Sequence, residues 1–116
     1  MEMQIEQPVP ELPVRDVRAA QVYYRDRLGF EIAWHNTEGR IGAVSQGPCA
    51  IFLRETDASI SPVTLWFFAP DVDGDYARFT DLGADVADPL SDKPWGLRQF
   101  TLRDPNGHLL HFHHDL

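Results

Sequence analysis

Apolar residues recur at helical spacing twice along this chain. Val17, Ala20, Tyr24 and Leu28 fall on one face of a helix that Asp16 would cap and Gly29 would end. Val72, Tyr76, Phe79 and Leu82 repeat the pattern behind Asp71 and ahead of Gly83. Each predicted helix follows a short alternating segment, residues 9–14 and 64–69. Three strand-like stretches come after each helix. In the first half they are residues 30–34, 40–45 and 49–54, parted by turn-forming 36–39 and 46–48. In the second half they are 85–87, 98–102 and 108–113, with Asp104-Pro105-Asn106-Gly107 a strong turn before the last.

The two halves also match in sequence. Asp16-Val17, Tyr23-Tyr24-Arg25 and Leu28-Gly29 have counterparts in Asp71-Val72, Tyr76-Ala77-Arg78 and Leu82-Gly83, with the aspartates 55 positions apart. A repeat at half the chain length indicates two copies of one supersecondary unit. The expectation is an α+β fold of two tandem βαβββ modules, about 7–55 and 63–114, within one domain spanning 1–116. Residues 56–62 read as the linker.

Alternation along the strands sorts their side chains. Leu12 and Val14 share one face, and Val9, Glu11 and Pro13 the other. Leu65 and Phe67 oppose Thr64, Trp66 and Phe68. Leu110 and Phe112 oppose Leu109, His111 and His113. One face of each strand is apolar enough to pack on a helix. The other mixes Glu, Thr, Trp, Phe and His, which predicts a curved mixed sheet lining a ligand groove.

Composition adds limits. Apolar residues make up 43% of the 116, enough for a packed core. A net charge of −8 and a pI of about 4.9 argue against nucleic acid and anionic membranes as partners. No stretch is long and apolar enough to span a bilayer. The opening residues carry neither a basic nor an apolar targeting segment. The single cysteine, Cys49, cannot close an internal disulfide and reads as a small core residue. A cytoplasmic location is the expectation.

The paired βαβββ units, the Asp-Val helix starts, Leu28-Gly29-Phe30 and Asp104-Pro105-Asn106-Gly107 resemble the vicinal oxygen chelate superfamily. That group holds glyoxalase I, extradiol dioxygenases, fosfomycin-resistance enzymes and bleomycin-resistance proteins. The likeness runs from Val9 to His111. Pro94-Trp95-Gly96, the run Phe100 to Pro105 and the ending His111-Phe112 are most similar to the bleomycin-resistance branch, whose members bind a drug without transforming it.

That resemblance implies several roles. Metal-dependent relatives carry ligands on four inner strand positions, which correspond here to Val9, Thr64, one register of the 49–54 strand and His111. That strand offers Cys49 and Ile51 or Ala50 and Phe52. Only His111 is of ligand type, so no cofactor and no catalytic residue are expected. The alternative is a metal-dependent lyase, isomerase or dioxygenase holding one divalent ion with Glu11 and His111, and with His113 as a further donor. For the binding reading, Trp95, Trp66 and Trp34 would stack on a planar, cationic antibiotic of bleomycin type. Phe68, Glu11 and His111 would complete the site. Arg40 stands in a stretch, Glu38-Gly39-Arg40, where the drug-binding relatives have an aromatic, and an arginine there would weaken stacking and repel a cationic drug. The resemblance further implies a homodimer with grooves at its interface and exchanged N-terminal arms, for which the extended Gln7-Pro8-Val9-Pro10 is suited.

Overall fold

A computed structural model describes residues 2–116. The first module runs β1 (Glu11–Val14), α1 (Val17–Leu28), β2 (Glu31–Asn36), β3 (Ile41–Gln46) and β4 (Cys49–Glu55). The second runs β5 (Thr64–Phe68), α2 (Val72–Asp81), β6 (Asp85–Asp92), β7 (Leu97–Arg103) and β8 (Leu109–Asp115). Each module forms its own four-stranded mixed sheet, in the orders β1-β4-β3-β2 and β5-β8-β7-β6. The predicted βαβββ repeat is therefore present twice. β1 lies parallel to β4, and β5 parallel to β8 in the same place.

The helices form where capping and periodicity agree. The Asp16 carboxylate accepts the Ala19 N–H at 2.9 Å, and Asp71 accepts that of Gly74 at 3.1 Å. α1 ends at Gly29, whose φ of 69° closes the helix in the left-handed conformation. α1 packs on β2–β4 and α2 on β6–β8. Leu12, Val14, Tyr24, Val44, Ile51 and Leu53 fill the first core. Val72, Phe100, Leu102, Leu110 and Phe112 fill the second, with the Phe100 and Phe112 rings stacked at 5.1 Å. Burying such side chains stabilises the fold by about 1.5–3 kcal/mol each.

Two strands differ from expectation. β1 begins at Glu11 rather than Val9, because Pro8 and Pro10 have no N–H for a ladder, although the Pro10 carbonyl still accepts from Phe52 N–H at 2.9 Å. β6 extends to Asp92, well beyond the predicted 85–87. It contains Pro89, which a central strand would not tolerate, but β6 is an edge strand with two register shifts. This extension turns Lys93-Pro94-Trp95-Gly96 from a free loop into the tight hairpin between β6 and β7. There Gly96 N–H donates to Lys93 O at 3.1 Å.

A polar joint ties the modules together at the 104–108 turn. Tyr24 of α1 donates its hydroxyl to Asp104 Oδ2 at 2.8 Å. Asp104 Oδ1 also accepts from the backbone N–H groups of Asn106 and His108. The fully buried His108 accepts from Val63 N–H at its Nδ1 (2.9 Å), so its Nε2 carries the proton and donates to the Pro13 carbonyl at 2.7 Å.

Candidate functional site

Each sheet turns one face to its helix and leaves the other open. On β4 the buried Ile51 and Leu53 point to the helix side, which places Ala50 and Phe52 on the open face and settles the register of that strand. The open face of the second sheet carries the denser chemistry. The parallel register sets Trp66 of β5 beside His111 of β8, and Phe68 beside His113. The Trp66 and His111 rings stack with centroids 4.2 Å apart and planes 28° apart. His113 meets Trp66 and Phe68 edge-on, at 5.7 and 6.1 Å. Trp66 is 53% exposed and Phe68 66%, so neither serves as core filling.

Trp95 joins the same face through hydrogen bonds. Its indole N–H donates to Gln99 Oε1 at 3.1 Å. An indole nitrogen only donates, so the amide oxygen of Gln99 must face it and the amide nitrogen turns to His111 Nδ1, 3.4 Å away. Thr101 Oγ1 lies 2.5 Å from the same nitrogen. Nδ1 is therefore the acceptor and Nε2 carries the proton. Burial holds the His111 imidazole below its usual value, with Asp88 opposing the shift. Asp88 is itself held by Lys93 Nζ at 2.7 Å. The result is an exposed Trp66–His111 stack on a neutral, hydrogen-bonded imidazole, to which Trp95, 60% exposed, is tied through Gln99.

The first sheet presents a smaller aromatic cluster. Trp34 meets Phe52 edge-on at 5.2 Å and is 43% exposed. Its backbone is bent by a bulge between Ile32 and Trp34. The buried Gln21 of α1 holds that bulge, donating to Trp34 O at 2.8 Å and Ala43 O at 3.2 Å. Gly42 makes room for it, because a Cβ at that position would lie 2.6 Å from Gln21 Nε2.

Glu11, Arg40 and Arg54 are already paired. Glu11 accepts from Arg54 at 2.9 Å. Arg40 lies on Glu55 and Asp57, at 3.0 and 2.9 Å, and both contacts raise its proton affinity further. Arg40 thus presents a neutralised guanidinium.

The residues present do not fit a divalent ion within one chain. Of Val9, Thr64, the inward residues Ala50 and Phe52, and His111, the positions that the resemblance implies for metal ligands, only His111 has a ligand-type side chain. Its Nδ1 is taken by Thr101 and Gln99. Glu11 and His111 lie on different sheets. Among the described residues, no three His, Cys, Asp or Glu side chains gather as a metal site would need.

Sequence reasoning found Trp95, Trp66, Trp34, Phe68 and His111 on open surface but missed the polar residues that orient them. Gln21, Gln99 and Thr101 are buried, and nothing in their local sequence marks them. Only the strand register, Gln99↔His113 and Thr101↔His111, brings the last two to the imidazole.

Comparison with known proteins supplies the context for this geometry. The family model described as Glyoxalase/Bleomycin resistance protein/Dioxygenase superfamily matches residues 5–112. No curated protein matches the chain. Among solved structures, TioX from Micromonospora sp. ML1 is similar at 29% identity and a TM-score of 0.81, over 96% of this chain and 100% of that one. A bleomycin-binding protein complexed with bleomycin superposes with a TM-score of 0.82 at 21% identity, over 97% and 100% of the two chains. A glyoxalase-related enzyme from Clostridium phytofermentans does so at 0.77 and 16% identity, over 98% of each. The same scaffold serves a binding protein and an enzyme, so the residues on the open faces must distinguish them.

Proposed function

Because the chain belongs to the glyoxalase/bleomycin resistance protein/dioxygenase superfamily, we propose that it is a member that binds without catalysis, sequestering a planar aromatic antibiotic on its open sheet faces. The observation that carries this reading is the exposed Trp66–His111 stack, with Trp95 fixed beside it by Gln99. Flat rings exposed on a rigid polar base suit stacking against a planar heterocycle. The poor donor set at the inner positions supports a site that works without a metal ion. Glu11 and Asp88 are each paired with a cation. Attraction of a cationic ligand therefore comes from the net charge of −8 rather than from one free carboxylate, and it weakens as salt rises.

A homodimer belongs to this proposal. The open faces leave Trp34, Trp66, Phe68 and Trp95 in water. Apolar surface of this kind marks a face that a partner or ligand covers. The largely exposed arm ahead of β1, with Pro8 and Pro10, is the segment that would reach a second copy.

Titration with bleomycin while following tryptophan fluorescence tests the reading. Saturable quenching is expected, with Trp95→Ala weakening binding about tenfold, the worth of one aromatic stack. Unchanged fluorescence at high drug concentration would remove bleomycin as the ligand, and a panel of planar antibiotics then tests the class. A stoichiometric metal ion in purified protein would overturn the metal-free reading.

A further inference from the structure

The repeat makes the molecule internally comparable, and its two inter-module joints are not alike. Registers fix the correspondence. Glu11 faces Phe52 as Trp66 faces His111, so Cys49 occupies the place that His108 has in the second module. Ala43 faces Phe52 as Thr101 faces His111, so Gln46 corresponds to Asp104. Counting from the Asp16 and Asp71 caps, Phe79 corresponds to Tyr24 and Val72 to Val17. By the same spacing Pro8 corresponds to Val63.

In the first joint Tyr24, Asp104, His108 and Val63 are joined by hydrogen bonds. Tyr24 donates to Asp104, and His108 accepts from Val63 N–H and donates to Pro13. In the second joint each has lost its group. Phe79 has no hydroxyl, Gln46 no carboxylate and Cys49 no imidazole, and Pro8 has no N–H. Two residues separate Gln46 from Cys49, where three separate the corresponding Asp104 from His108. No side chains plug this joint, and a cleft of about 330 Å³ stands there, walled by Leu28, Phe30, Phe67, Phe79 and Phe112.

We propose that this cleft is a second ligand site, meeting the open sheet faces only at Phe68, and that it takes a small neutral aromatic molecule of one or two rings. Apolar cavities of about 150 Å³ already accept benzene, so the space here suffices. Five phenylalanine rings, Phe68 among them, favour an aromatic guest. Neutrality follows from the rim, where Arg78 and Asp75 pair with each other and leave no spare charge. Gln46 and the Cys49 thiol are the neutral polar groups in the lining, able to bond one hydroxyl or N–H on the guest. Burial raises the Cys49 thiol above its usual value, which keeps it protonated and uncharged toward such a guest.

2-Naphthol is a suitable probe, followed by amide chemical shifts on the full chain. Saturable shifts are expected at Gln46, Cys49 and Phe79, unchanged in Trp66→Ala and lost in Leu82→Trp. Leu82 lines the cleft and is 39% exposed, so the larger ring can fill the space from its open side. Shifts confined to the Trp66, Trp95 and His111 face, no shifts up to the solubility of the probe, or binding that survives in folded Leu82→Trp would each overturn the proposal. Alkylation of Cys49, the chain's one cysteine, gives a second readout that needs no variant. Its rate should fall about tenfold when the probe stands at ten times its Kd. Equal rates with and without probe would count against the site.

Discussion

At the scale of single residues, the open face depends on how His111 is held. Trp66 covers one side of its ring, and Gln99 and Thr101 address Nδ1. Replacing Trp66 by Ala removes the larger half of the stack. It should weaken binding of a planar ligand about tenfold, while the midpoint of urea unfolding moves little, because the indole is half exposed. Isothermal titration and urea unfolding of the same variant check both halves. The pH dependence has a definite sign. The folded protein holds the His111 imidazole below its ordinary value of 6.5, so the unfolded chain takes up that proton first as pH falls. The stabilising share of a neutral His111 is complete above about pH 6.5 and declines below it, levelling once pH passes the depressed folded value. His111→Gln should flatten that part of the unfolding profile. A profile identical to the parent's would show that His111 contributes nothing to it.

At the scale of elements, the 104–108 turn is a fastener rather than a plain connection. The Asp104 side chain accepts one hydroxyl and two backbone N–H groups while almost wholly buried. Tyr24→Phe gives up one of these bonds at a cost of about 1–3 kcal/mol. Asp104→Ala leaves three donors without an acceptor and should cost distinctly more, in urea unfolding of the two variants side by side. A larger loss in Tyr24→Phe would contradict this account. The sequence read these elements unevenly, for physical reasons. Both helices, and the faces of β1, β5 and β8, were legible because amphipathic period is a local property of the chain. Asp104-Pro105-Asn106-Gly107 was legible as a turn, but its docking on α1 was not, since the contact spans 80 positions. β6 was read short because Pro89 and its aspartates resemble a loop, and only its edge position lets them stay in a strand. Gln21 and His108 were invisible as structural residues. Polar side chains become buried only where distant partners satisfy them, here Trp34 and Ala43 for one and Val63 and Pro13 for the other. Trp34, Trp66 and Trp95 were legible as candidates, whereas the hydrogen bonds that aim Trp95 depend on register.

At the scale of the whole molecule, the two sheets do not cover one another. The chain measures 45 by 44 by 25 Å, a flat shape for 116 residues. Its radius of gyration of 14.9 Å exceeds the roughly 13 Å of a compact domain of this size. A flat body with four large apolar side chains in water on its open faces has an unfavourable solvation term that a second copy would remove. Burying about 25 cal/mol per Å² of apolar surface gives such association a large driving force. In the proposed dimer, Trp34 of one protomer and Trp66 of its partner would share grooves, two per dimer. Light scattering at micromolar concentration should give twice the mass of one chain, and calorimetry one ligand per chain. Substituting Trp34 by Ser should shift the protein toward monomer and weaken ligand binding in step, because in the proposed dimer the partner supplies half of each groove. A monomeric parent protein, or a monomeric variant that binds as tightly as the dimer, would show that each open face works alone.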